Sequence, residues 1–169
     1  FGGERSDSVA LYANVNHSAL RGRNPDHFAR AADLAVADGF AIVKIAAFDY
    51  LPAHPVEANT VDAARYGMER VAEVREAVGS DVDVLVDCHS RFDERTAPEI
   101  ARQLASHGVG WFEEPLQPVT NLDALARVAS QVDIPVAGGE DGYGAEFFRR
   151  LVESAASAIA MPDVKVCGG

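Results

Sequence analysis

The chain has 169 residues, 48% of them hydrophobic and 24% charged. That is too apolar for a disordered segment and enough for one packed core. Acidic residues outnumber basic ones 26 to 15, and the net charge of −11 disfavours binding to nucleic-acid phosphates or to an anionic membrane surface.

Strand-like runs and helix-period segments alternate from the start. Residues 9–15 (VALYANV) are β-branched and aromatic and read as a first strand, punctuated by Asn16, His17 and Ser18. A helix follows, with Asn24 as its cap and Pro25 at its first position. Phe28, Ala31, Ala32, Leu34 and Ala35 give it one apolar face, and Gly39 ends it. Residues 41–46 (AIVKIA) form the second strand. Residues 48–59 carry two prolines and no helical period, so they are expected to be a loop. Thr60 is expected to cap a helix that runs through Val78. Strands are then expected at 82–88, 109–112, 135–137 and 158–161, with helices at 97–106, 122–129 and 145–154 between them.

Six strand–helix alternations, lacking only the last helix, imply a parallel sheet joined by right-handed crossovers. Each unit has roughly 26–28 residues, close to one eighth of a barrel of about 250. The alternative is an open doubly wound sheet, but its phosphate-binding signature is missing. Gly138, Gly139, Gly142 and Gly144 are spaced GGxxGxG rather than GxGxxG. The expected fold is therefore α/β, a TIM-type barrel incomplete here at six strands, with residues 1–169 forming one partial barrel domain.

In a parallel barrel the reactive groups sit at the carboxyl ends of the strands. Those ends carry, in order, Lys44; Asp87 with His89; Glu113 with Glu114; Glu140 with Asp141; and Asp163 with Lys165. Glu113 follows Asp87 by 26 residues and Glu140 follows Glu113 by 27, one unit each, so the three carboxylates are expected on adjacent strands at one level. Three unpaired carboxylates at close range resist shared ionisation. A divalent cation removes that conflict, and an all-oxygen donor set favours Mg²⁺, or Mn²⁺ in its place, over zinc. The plainer reading makes each carboxylate a salt-bridge partner or a helix cap.

Asp87 in VDCH, Glu113 in WFEEP, Glu140 in AGGED and the run MPDVKVCGG together resemble the enolase superfamily. The resemblance is to its mandelate racemase and muconate lactonizing enzyme-like branch, of the acid-sugar dehydratase type, and it reaches from the first strand into the sixth. It implies a (β/α)7β barrel, an N-terminal capping domain with no counterpart here, one Mg²⁺, and abstraction of the proton α to a carboxylate to give an enediolate. It implies that Asp87, Glu113 and Glu140 hold the metal, placing positive charge where the enediolate's negative charge develops. Lys44 would add charge against the substrate carboxylate.

Departures from the pattern bear on the reaction. The racemase-like pattern usually has a second lysine two residues after the first, serving as a base; here that place is Ala46. Residues i and i+2 of a strand share a face, so a two-base racemase built on that lysine is disfavoured. By resemblance, Asp163 orients a histidine from a seventh strand that is not in this sequence. Lys165 is two residues on and is expected on the same face, which makes it the back-up base. His89 lies two residues after Asp87 on the same strand face. Several acid-sugar dehydratases of the superfamily carry a histidine there that protonates the departing hydroxyl, a task suited to an imidazole. His27 and His107, in helices, and His17 and His54, in loops, are weaker candidates. The expected function is a Mg²⁺-dependent lyase that dehydrates a sugar acid. The alternatives are a racemase, epimerase or cycloisomerase of the same superfamily, or an inactive fragment or paralogue.

Cys88 and Cys167 do not make a disulfide framework in a chain of this length. No apolar run approaches the roughly 20 residues that span a bilayer. No signal peptide is visible, so a cytoplasmic protein is expected. The chain opens on Phe1 and closes on Val166-Cys167-Gly168-Gly169 without a terminating signal, which reads as an internal piece of a longer protein, inactive alone. The expected partner is a small-molecule carboxylate, and the resemblance adds a homo-oligomer.

Overall fold

The structure is a computed structural model that describes residues 7–16, 22–53 and 60–168. Its elements are β1 (Ala13–Asn14), α1 (Pro25–Ala37), β2 (Ile42–Ile45), α2 (Arg65–Val78), β3 (Asp83–Asp87), α3 (Ala97–Ser106), β4 (Val109–Glu113), α4 (Leu122–Ala129), β5 (Val136–Gly138), α5 (Gly144–Glu153) and β6 (Ile159–Ala160). His17 and His54 lie outside the described residues, as do positions 55–59 of the expected loop.

Every strand pairs in parallel with the next, in the order β1-β2-β3-β4-β5-β6. A doubly wound sheet reverses its strand order partway, which puts helices on both faces. Here the order never reverses, so right-handed crossovers deliver every helix to one face. That arrangement is the arc of a TIM-type barrel, as the alternation predicts.

The pleat sorts side chains between the two faces. Val43, Ile45, Val84, Val86 and Phe112 pack in one core with Phe28, Val71, Ile100, Leu104 and Leu125 of the helices. Their strand neighbours Lys44, Leu85, Asp87, Trp111 and Glu113 therefore face the concave interior. Each fully buried Phe or Leu on the helix side contributes about 1.5–3 kcal/mol to holding the strands in place. The core thus fixes the backbone whose alternate residues carry the chemistry.

Several boundaries differ from expectation. Only Ala13 and Asn14 of the first run pair with β2. Val9 and Leu11 are 80% and 69% exposed, so the β-propensity at the start of that run meets no packing surface, whereas Val15 at its end is buried in the core and donates its N–H to the Lys44 carbonyl at 3.1 Å. Thr60 Oγ1 does accept from the Ala63 N–H at 3.3 Å, but the chain first forms turns and α2 starts at Arg65. At α1, Asn24 caps through its carbonyl, which accepts from the His27 N–H at 3.0 Å, and its side chain makes no cap bond. Asn121 caps α4 with its side chain, which accepts from the Ala124 N–H at 3.1 Å. Both cysteines are free. Among the described residues, no helix is long and apolar enough to cross a membrane.

Candidate active site

Strand register brings three of the sequence candidates together. Lys44 pairs with Leu85, and Asp87 pairs with Glu113, so the lysine lies one pleat step below the two carboxylates on the same face. Its Nζ donates to Glu113 Oε1 at 2.7 Å and stands 3.2 Å from Asp87 Oδ2. All three are buried. Burial opposes the ammonium, but the adjoining carboxylates outweigh it and hold Lys44 above the usual lysine range. One ammonium cannot neutralise two carboxylates. Burial also works against Asp87, yet the His89 hydrogen bond and the Lys44 charge keep its carboxyl below the usual range. Glu113, buried and beside the Asp87 charge, is pushed up. The Tyr12 ring lies 5.1 Å from Lys44 Nζ and meets Trp111 edge-on, and Trp111 Nε1 donates to Glu113 Oε2 at 3.2 Å.

Glu140 does not stand at the level its spacing predicts. The register partner of Glu113 is Ala137, so Glu140 lies beyond the end of β5. The chain bends there at Gly139, with φ at +106°. Buried Glu114 holds the bend, its Oε1 accepting from the Gly139 N–H at 2.9 Å and the Glu140 N–H at 3.2 Å. Burial and the Asp87 charge push the Glu140 carboxyl up. Burial likewise raises Glu114, to about 7, against the hydrogen bond from Gly139.

An open cleft of about 680 Å³ joins Lys44, Glu140 and Asp163, with Tyr12, Trp111 and Met161 in its wall. Lys165 does not line it. Asp163 and Lys165 follow β6 in an exposed turn, where Asp163 Oδ1 accepts from the Lys165 N–H at 2.7 Å. A common face for residues two apart requires a strand, and β6 ends at Ala160, so Asp163 and Lys165 do not share the face their spacing predicts.

His89 sits at the end of β3 with φ at +44°, followed by Ser90 at +58°. Glu114 at the end of β4 has φ at +38°. Left-handed non-glycine residues cost of order 1–3 kcal/mol each and persist only where the surroundings enforce them. Here the two strand ends are stitched together: the Cys88 N–H donates to the Glu113 carbonyl at 2.9 Å and the Ser90 N–H to the Glu114 carbonyl at 2.8 Å. His89 Nδ1 lies 2.6 Å from Asp49 Oδ1, and its Nε2 lies 3.2 Å from Asp87 Oδ2. Those bonds, Asp49 first and Asp87 second, raise the imidazole to about 10 against its burial.

Asp49 escaped the sequence reading. It is 40 residues upstream of His89, in a loop, and no spacing rule links the two. Its place shortly after β2, a strand-end position like those of the other candidates, is the signal that could have found it.

The donor set fits a hard divalent cation in its chemistry: Asp87, Glu113 and Glu140 offer only oxygen, and burial together with the Asp87 charge pushes Glu113 and Glu140 up, a conflict that a bound cation would relieve. As the side chains stand, no three His, Cys, Asp or Glu groups among the described residues converge as a metal cage. Asp87 and Glu113 close instead on Lys44 Nζ.

A parallel barrel arc with carboxylates at successive strand ends defines a class. The family of enolase C-terminal domain-like proteins matches residues 27–169, and the chain belongs to it. Over 170 aligned residues it is 35% identical to the D-gluconate dehydratase of Thermoproteus tenax, covering 99% of this chain and 32% of that protein. Over 99 residues it is 38% identical to the D-galactarolactone cycloisomerase of Agrobacterium fabrum, covering 59% of this chain and 26% of that one. Among solved structures, a mandelate racemase/muconate lactonizing enzyme-like protein from Roseovarius sp. TM1035 superposes with a TM-score of 0.83 at 26% identity, covering 99% of this chain and 43% of that one. The chain thus spans about a third or less of the curated relatives it matches.

Proposed function

We propose that the complete protein is a Mg²⁺-dependent lyase that dehydrates a sugar acid, and that residues 1–169 are part of its barrel domain. The observation that carries this reading is His89. It stands just past the carboxyl end of β3, its Nε2 3.2 Å from Asp87 Oδ2 and so beside the cluster of Lys44, Asp87 and Glu113. An acid at that place is what loss of a hydroxyl requires. The likeness to a sugar-acid dehydratase along nearly the whole chain supports it.

In this reading Asp87, Glu113 and Glu140 hold Mg²⁺, or Mn²⁺ in its place. The ion supplies positive charge against the substrate carboxylate as negative charge builds there. Lys44 adds its ammonium on the same side. Asp163, on the cleft, orients a base from a part of the protein outside this sequence, and Lys165 is the back-up base. Loss of the α-proton gives an enediolate. His89 then protonates the β-hydroxyl, the C–O bond breaks with its electron pair leaving on oxygen, and water departs. The enol that remains tautomerises to a keto acid. The reading also makes the protein a cytoplasmic homo-oligomer with a small carboxylate as its partner.

A second reading is a cycloisomerase or epimerase using Lys44 or Lys165, favoured by the cycloisomerase relative. The test is to incubate the full-length protein with a panel of acid sugars, with and without Mg²⁺. A keto-acid product that appears only with metal is the expected result. Solvent deuterium exchange without dehydration would favour the second reading, and neither activity would contradict both.

A further inference from the structure

We infer that Asp49, in the loop after β2, is a positioning residue that fixes the ring of His89 so that Nε2 faces the reacting hydroxyl. This rests on the lyase reading above. Asp49 Oδ1 lies 2.6 Å from His89 Nδ1. An ionised carboxylate only accepts hydrogen bonds, so Nδ1 carries the proton in that contact. The ring cannot then turn over without breaking a charge-assisted bond, and Nε2 is left on the side of Asp87, 3.2 Å from Oδ2.

Asp49 is itself held from three directions. Arg23 Nη2 stands 3.3 Å from its Oδ2 and Arg91 Nη2 stands 3.6 Å from its Oδ1. Buried Arg70 ties down the backbone of both segments, donating to the carbonyl of Ala47, two residues before Asp49, at 2.7 Å and to the carbonyl of its ion-pair partner Arg23 at 2.9 Å and 2.6 Å. That guanidinium is packed against the rings of Phe28, Tyr50 and Tyr66 at 5.1, 4.9 and 4.8 Å. An exposed ion pair made only for stability would not need this support, since such pairs contribute little. The arrangement instead resembles the general logic of a histidine whose second nitrogen is held by a carboxylate.

In the dehydration step the proton leaves His89 from Nε2 and joins the departing hydroxyl, which becomes water. The Nδ1 proton stays on the ring, bonded to Asp49. The ring ends neutral, and no further reactant is needed.

The test uses the full-length protein, ¹⁵N-labelled at histidine, as wild type and as Asp49→Ala. In the wild type the His89 Nδ1 should carry a proton in a strong hydrogen bond, seen as a downfield ring N–H resonance, and Asp49→Ala should lose it. With the acid sugar that the wild type dehydrates, Asp49→Ala should lower kcat roughly 10- to 100-fold. KM and exchange of the α-proton with deuterated solvent should stay close to wild type, and so should the unfolding midpoint. An unchanged N–H resonance in the variant, or an unchanged kcat, overturns the inference. If Asp49→Ala does not fold, the wild-type spectrum still decides, because an unprotonated Nδ1 is incompatible with it. Should the wild type dehydrate nothing, the lyase reading fails by itself, and the spectra report separately on whether Asp49 fixes the ring.

Discussion

His89 is bonded on both sides, to Asp49 through Nδ1 and to Asp87 through Nε2, while Lys44 sits between Asp87 and Glu113. Acid and base are separate groups in the proposed reaction, so removing the acid should divide the two half-reactions. His89→Asn is expected to abolish dehydration and to retain exchange of the substrate's α-proton with deuterated solvent. Dehydration at near wild-type rate in that variant would make the histidine structural. Loss of both activities with metal binding intact would make it the base. At this scale the sequence is informative where chemistry repeats with the strand–helix unit. Lys44, Asp87 and Glu113 were legible because each lies inside or straight after an apolar run, and the structure brings Lys44 within hydrogen-bond or ion-pair reach of both carboxylates. Asp49 was not, because a contact between two loops leaves no period in the sequence. The common face expected of Asp163 and Lys165 fails for a related reason: a two-residue spacing has that meaning only inside a strand, and the chain there is a turn.

The elements follow the hydrophobic pattern closely where a packed face exists. Helices α3 and α4 have the ends read from the sequence, since Ile100, Leu104, Leu125 and Val128 are all fully buried in the core. The pattern fails at the first strand, where apolar residues are exposed, and at the start of α2, where turn geometry precedes the helix. The loop between β3 and α3 provides a test of local electrostatics. Asp93 Oδ1 accepts from the Thr96 N–H and Oγ1, each at 2.8 Å, and from the Arg95 N–H at 3.1 Å. Burial opposes that charge, but the Thr96 bonds outweigh it and hold the carboxyl below its usual range. A carboxyl lowered on folding contributes stability above its unfolded value, and that contribution is lost as pH falls through the folded value. Urea unfolding of Asp93→Asn should therefore show a shallower loss of stability below about pH 4 than the wild type. Parallel stability–pH curves for the two proteins would remove Asp93 from the account.

Across the whole molecule, one property depends on several strands at once. The core on the helix side sets the register of β3 against β4, which makes Asp87 and Glu113 neighbours, and Glu114 bends the chain after β5 so that Glu140 follows. The 26- and 27-residue intervals revealed that these carboxylates belong to successive units. They could not reveal that Glu140 lies beyond its strand, because loop geometry rather than unit length decides where that residue ends up. The central claim is that the three carboxylates act as one metal site in the complete protein. Calorimetric titration of the full-length wild type and of Glu113→Gln with Mg²⁺ tests it most directly. The account predicts one ion bound by the wild type and roughly 10-fold or greater loss of affinity in Glu113→Gln, since one of three charged ligands is gone. Equal Mg²⁺ affinity in the two proteins would contradict it.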